Sequence, residues 1–230
     1  MDMASDGQEK KKIRVIVTGV TGMVGEGVLH ECLRHPDVER VLVLGRKPCG
    51  VTHPKLEEHV QPDLFDLSAA AARLSGYNAC FFCLGVSSVG MTEEAYTRVT
   101  YDLTVSVAEL LCGLNPGMVF CYVTGNGTDS TERGRSMWAR VKGRTENKLL
   151  RLPFGGAYMF RPGYIHPTPG LRNTHGYYKA FMWMYPALRR FMPRYVISLR
   201  ELGLAMIHTV GRGYEKPVLE NVDIAALAKA

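Results

Sequence analysis

No stretch of this chain comes near the roughly 20 apolar residues of a membrane-spanning helix, and even the uncharged run from Ala180 to Leu188 falls far short. The opening residues lack the apolar core of a signal peptide: they are polar and end in Lys10-Lys11-Lys12. Residues 1–12 are therefore read as a disordered lead-in, and a cytoplasmic location is the expectation. Cys32, Cys49, Cys80, Cys83, Cys112 and Cys121 show no paired framework, which argues for reduced thiols rather than disulfides. The Cys80-Phe-Phe-Cys83 spacing suits zinc or redox chemistry on a turn, but it lies in an apolar run that reads as a strand. Side chains three apart on a strand diverge, so buried structural cysteines are expected. The histidines lack a helical ligand pair, so no metal is expected. The formal charge of +6 is not concentrated by any nucleic-acid module, so no nucleic-acid partner is expected.

What the chain does have is a glycine pattern. Val15 to Gly25 reads Val-Ile-Val-Thr-Gly-Val-Thr-Gly-Met-Val-Gly, with Gly19, Gly22 and Gly25 spaced by three directly after a β-branched run. A buried strand must turn sharply into a helix there. The glycines remove side chains where a pyrophosphate would lie against backbone N–H groups, and Thr21, Met23 and Val24 complete the turn. Helical periodicity from Met23 to Leu33 and a second strand at Val41–Leu44 complete a βαβ unit. After that strand, where an acidic residue would hold a ribose 2′-OH, the chain has Gly45-Arg46-Lys47. A planar guanidinium with a second cation beside it suits a 2′-phosphate, so NADP is expected ahead of NAD.

At 230 residues and 46% hydrophobic content, residues 13–230 suffice for a single α/β domain with a doubly wound parallel sheet. Strands are expected at 57–61, 79–84, 118–124, 157–161 and 217–219. Helices are expected at 69–74, 93–114, 134–151 and 201–211, and this alternation places ligands at the carboxyl ends of the strands. The carboxy-terminal part, about 164–200, is rich in aromatics. Within it, 177–194 interleaves Tyr177, Tyr178, Phe181, Trp183, Tyr185 and Phe191 with Lys179, Arg189, Arg190 and Arg194. Core or a lid over the site is the first reading of this segment, and peripheral contact with a membrane surface is the other.

Four pieces of sequence carry a family likeness: Thr18-Gly19-Val20-Thr21-Gly22-Met23-Val24-Gly25, Asp63-Leu64, Cys83-Leu84-Gly85 and Arg161-Pro162-Gly163-Tyr164. With them the chain resembles an atypical or extended short-chain dehydrogenase/reductase of the epimerase/dehydratase-like kind. Phe82-Cys83-Leu84-Gly85 and Val141-Lys142-Gly143 are similar to the oxidoreductase-like branch that includes the Tat-interacting protein. The resemblance implies a Rossmann domain with Asp63 near the adenine, Gly85 beside the ribose-nicotinamide half, and Leu64, Cys83, Leu84, Pro162 and Gly163 around the cofactor.

Reductases of this type carry a Tyr and a Lys four apart on the helix after the fifth strand, with a Ser or Thr at that strand's end. The tyrosine gives a proton to the alkoxide, while the lysine lowers its pKa and holds the ribose. The matching positions here are Trp138 and Lys142, with Thr124 or Thr128 as the hydroxyl. An indole N–H cannot give up its proton in the accessible pH range, so Trp138 cannot act as the acid. Three readings follow: an oxidoreductase on an unknown small-molecule substrate, with a displaced proton donor among Tyr164, Tyr122 and His166; a catalytically silent NADP sensor acting through a partner; or a peripheral membrane or partner-binding module. Oligomeric state is left open.

Overall fold

In the computed structural model, residues 12–173 and 185–230 are described. Seven parallel strands form the central sheet in the order β3-β2-β1-β4-β5-β6-β9. They are β1 (Ile13–Thr18), β2 (Val38–Gly45), β3 (Leu56–Val60), β4 (Ala79–Phe82), β5 (Val119–Val123), β6 (Gly156–Arg161) and β9 (Val218–Glu220). Strand order reverses between β1 and β4. That switch point opens a crevice at the carboxyl ends of the strands, just where the glycine turn begins. The chain is thus a doubly wound α/β protein of Rossmann type.

The continuous apolar strands are explained by burial on both faces. Val15 and Val17 of β1 face one layer, with α1 (Met23–Arg34), α7 (Leu199–Arg212) and α8 (Asn221–Leu227). Ile16 between them faces the other, with α2 (Ala71–Leu74), α4 (Leu103–Leu114) and the ring of Phe120. Adjacent residues of a strand point to opposite faces, so a strand covered on both sides cannot alternate with polar residues. The same rule separates the two sulfurs of the Cys80-Phe-Phe-Cys83 run: Cys80 packs in the α4 layer and Cys83 in the α1 layer.

Two glycines let α1 and α7 approach closely. A Cβ on Gly27 would fall 2.2 Å from Leu199 Cδ2, and one on Gly203 would fall 2.9 Å from Glu31 Cβ. The start of α7 is fixed by a capping box in which the Ser198 hydroxyl accepts from the Glu201 N–H and the Glu201 carboxylate accepts from the Ser198 N–H. Gly213, at φ +69, ends the helix.

Several elements depart from the sequence expectation. The single helix expected over 93–114 is three pieces: α3 (Glu93–Thr97), a π-helical turn over Arg98–Asp102, and α4. The helix expected from 134 begins instead at Met137, as α5 (Met137–Leu149). The Asp129 carboxylate accepts the N–H groups of Thr131 and Gly134 and so holds the preceding residues as a loop. A second, two-stranded parallel sheet of β7 (Tyr164–His166) and β8 (Val196–Ser198), and helices α6 (Tyr185–Phe191) and α8, were not expected at all. Strands of three residues carry too little periodicity to read. Of the aromatic segment read at 177–194, residues 177–184, with Tyr177, Tyr178, Phe181 and Trp183, lie outside the described residues.

Candidate functional site

The glycine turn is built by close approach. Gly19 has φ +71, and a Cβ there would fall 2.5 Å from the Cys83 carbonyl oxygen and 2.7 Å from Leu84 N, so the ends of β1 and β4 touch backbone to backbone. A Cβ on Gly25 would fall 2.3 Å from the Gly19 carbonyl oxygen. Gly22 caps α1 without a side chain and donates its N–H to Gly19 O at 3.0 Å, leaving the first-turn amides of Met23 and Val24 directed outward at the helix N-terminus. A phosphate-bearing ligand fits this cradle. Cys83, Leu84 and Gly19 are therefore brought together, and a Cβ on Gly85 would meet nothing within 4 Å, so the strand end beyond them opens into space.

Around this turn, Arg46 and Lys47 are exposed just past β2 and form no salt bridge among the described residues. A third cation reaches the same edge. The Glu26 carboxylate, buried in the first turn of α1, accepts the N–H groups of Arg172 and Asn173 at 2.8 Å each, and the Arg172 guanidinium donates to Gly50 O at 3.3 Å. Asp63 is exposed, its carboxylate accepting the Phe65 N–H at 2.9 Å, while Leu64 is buried in the α4 layer.

On the opposite side of the crevice, α5 presents Lys142. Its ammonium donates to the Thr124 carbonyl at 2.9 Å. Burial brings its pKa down to about 8, against the partial opposition of Glu146 one turn along the helix. Glu146 is completely buried. It accepts the Thr124 hydroxyl at 2.6 Å and the Arg161 Nε at 3.1 Å, and it takes a further bond from the other end of the Arg161 guanidinium. The same guanidinium reaches Ser130 and lies 3.6 Å from Glu220. Lys142 and Thr124, expected together, are in contact, and Arg161, which was not among the expected site residues, joins them through Glu146. The Thr124 hydroxyl is buried and donates to the Glu146 carboxylate. Thr128 likewise donates to Gly125 O, at 2.7 Å. Glu146, which closes this network, was missed; the Lys142–Glu146 spacing of four was its only sequence signal.

Trp138, one turn before Lys142, is half-buried, with its ring 3.6 Å from where a Cβ on Gly127 would stand. Pro162 accepts the Asn126 N–H, and Gly163 donates to Asn221 Oδ1, at 2.9 and 3.0 Å, so the segment after β6 is pinned to the loop after β5 and to α8. Of the proposed donors, Tyr122 is corrected outright. It is a core residue of β5 packed 5.9 Å from Phe82, and burial pushes its phenol far up. Tyr164 and His166 sit on the small β7-β8 sheet. Burial lowers the pKa of His166, whose ring stacks on Tyr185 at 3.7 Å, and raises that of Tyr164.

A glycine turn of this geometry at the switch point of the β3-β2-β1-β4-β5-β6-β9 sheet is the arrangement of a Rossmann-type fold. Residues 15–128 match the sequence model of the NAD dependent epimerase/dehydratase family. It is 26% identical over 163 residues to the mitochondrial protein fmp52-1 of Aspergillus terreus, covering 67% of each chain. It is 25% identical over 154 residues to HTATIP2 of Rattus norvegicus, covering 66% of this chain and 62% of that one. Among solved structures, glucuronic acid dehydrogenase from Chromohalobacter salexigens superposes with a TM-score of 0.66 at 16% identity, over 90% of this chain and 75% of that one. The Bordetella bronchiseptica enzyme WbmF, solved in complex with NAD+, gives 0.64 at 16% identity, over 96% and 77%. At such identities the structural likeness is one of fold. No helix among the described residues is long and apolar enough to cross a membrane.

Proposed function

We propose that this protein is an NADP-dependent oxidoreductase acting on a carbonyl or hydroxyl group of a small molecule, with Trp138 in the place of the usual catalytic tyrosine. The observation that carries the reading is Lys142, held by Thr124 O across the crevice from the glycine cradle with two N–H bonds still to give. A bound nicotinamide would supply or accept the hydride. Lys142 would hold the ribose hydroxyls with its remaining donors. Its lowered pKa makes it the proton source for the developing alkoxide that the indole of Trp138 cannot be. Thr124 positions Lys142 through its carbonyl, and Glu146 fixes Thr124 through the hydroxyl. Gly85, Pro162 and Gly163 line the path of the cofactor, and the Trp138 ring offers a flat wall beside it.

Preference for NADP rests on Arg46 and Lys47, with Arg172 reaching the same edge from the carboxy-terminal half. Wild-type protein is expected to bind NADPH more tightly than NADH in paired calorimetric titrations. Arg46→Glu removes charge-assisted bonds worth about 1.5–3 kcal/mol and adds repulsion, so NADPH affinity should fall by more than tenfold with little change for NADH. Tighter binding of NADH by the wild type, or an Arg46→Glu variant with unaltered NADPH affinity, contradicts this preference.

Lys142 gives a pH signature with two opposite signs. Its pKa in the folded protein, about 8, lies below the ordinary 10.5, so the unfolded chain binds more protons between these values. This group's contribution to stability therefore rises as pH climbs through that window. Cofactor binding needs the ammonium, so NADPH affinity should decline over the same window. Dissociation constants measured at about pH 7 and about pH 9.5 test this, and Lys142→Ala should be weak at both and flat between them. A wild-type affinity that does not change with pH would remove Lys142 from the ribose.

A further inference from the structure

The stretch Arg190-Phe191-Met192-Pro193-Arg194-Tyr195 breaks the usual rule of burial. All six residues are exposed. Phe191 stands 78% open, Tyr195 53% and Met192 48%, although large apolar side chains normally turn inward. Their exposure is built rather than incidental. The Met192 N–H bonds Leu188 O at 2.7 Å and the Tyr195 N–H bonds Met192 O at 3.0 Å, closing a tight turn after α6. Below the turn, Arg189 makes a two-pronged ion pair with Glu201, which also caps α7 through Ser198, and Val196 and Ile197 of β8 are buried. A rigid root thus carries an apolar tip.

Charge identifies what that tip faces. Arg189 is neutralised by Glu201, whereas Arg190 and Arg194 flank the apolar residues and form no salt bridge among the described residues. The wider region has one sign. Between Glu146 and Glu201 the chain contains no Asp or Glu and nine Lys or Arg residues. A protein partner surface would ordinarily be met by both signs, as would a second copy of this chain at its own symmetric patch. Apolar and aromatic side chains ringed by unpaired cations instead match a bilayer whose headgroups are anionic: the rings enter the interface and the guanidinium groups pair with phosphates.

We infer that the 190–195 turn is a peripheral docking site for an anionic phospholipid bilayer. Phe191, Met192 and Tyr195 are its inserting residues, and Arg190 and Arg194 are its headgroup contacts. A single shallow turn gives reversible attachment that depends on salt and lipid charge, not permanent anchoring.

Sedimentation of the full chain with phosphatidylcholine vesicles, with and without phosphatidylserine, tests the inference. Binding is expected only with phosphatidylserine present and should fall at least tenfold in Arg190→Glu/Arg194→Glu and in Phe191→Ala/Met192→Ala. Both variants lie on the surface and away from the cradle, so an unchanged melting temperature and NADPH titration show that they are folded. The inference is overturned if the wild type stays in the supernatant with mixed vesicles, if both lipid compositions bind it equally, or if either variant binds undiminished. It is also overturned if light scattering shows that the turn instead mediates self-association which the variants abolish.

Discussion

Glu146→Ala is expected to lower the unfolding free energy by about 3–5 kcal/mol, the largest loss for any substitution outside the apolar core. The pair it breaks is nearly dry: the side chains of Arg161 and Glu146 are 12% and 1% exposed. Among the described residues, removing the carboxylate leaves the guanidinium with Ser130 and the more distant Glu220, and leaves the Thr124 hydroxyl with the longer bond to Phe160 O. Total stability of a domain is about 5–15 kcal/mol, so the melting temperature should fall by about 10 °C or more. The effect also spreads to the crevice, because Thr124 carries the carbonyl that tethers Lys142. Glu146→Gln, which keeps the shape and one acceptor, should lose distinctly less. Equal melting of wild type and Glu146→Ala in differential scanning calorimetry would show that Arg161 finds another partner.

Gly25→Ala should abolish measurable NADPH binding, a loss of at least a hundredfold. The new methyl would stand 2.3 Å from the Gly19 carbonyl oxygen and 2.8 Å from Val20 N, and since both are backbone no rotamer change relieves it. Either α1 moves away from the turn or the turn opens, and in both cases the first-turn amides lose their common focus. Overpacking of this kind costs about 1–3 kcal/mol in stability, so a folded but binding-dead protein is the expected outcome. Gly22→Ala is the control. Its Cβ would meet only Gly19 O at 3.4 Å, so the fold should be almost unaffected and any loss of binding would come from crowding the ligand itself. Retained NADPH affinity in Gly25→Ala would mean that the pyrophosphate does not use this turn.

What could be read from the sequence was what local rules determine. The glycine turn, the β-branched strand at 13–18, the short apolar strand at 79–82, and the spacing of Lys142 on its helix are set by neighbours within a few residues, so they survive without knowledge of the fold. The opposite facing of Cys80 and Cys83 follows from strand geometry alone. Tyr122 was misjudged because proximity to a strand end along the chain says nothing about which layer a ring enters. Its position in β5 places it against Phe82 in the α4 layer. The buried Glu146–Arg161 pair was hidden because its partners are 15 residues apart and on different elements. Glu26 looked like an ordinary acidic residue in a first helical turn, and only the return of residues 172–173 gives its carboxylate two amides to receive. The short β7 and β8 strands pair with each other across more than two dozen intervening residues, a separation that no local pattern encodes.

The glycine-mediated seam between α1 and α7 has a consequence for biosynthesis. The helix that opens the nucleotide cradle is pressed against a partner translated about 170 residues later, through Gly27 beneath Leu199 and Gly203 beneath Glu31. While the ribosome is still delivering the last quarter of the polypeptide, the outer flank of α1 has no cover and its apolar residues face water. Emergence of α7 shuts that seam, so the amino-terminal βαβ unit, although complete in sequence early on, acquires its mature rigidity only near the end of synthesis.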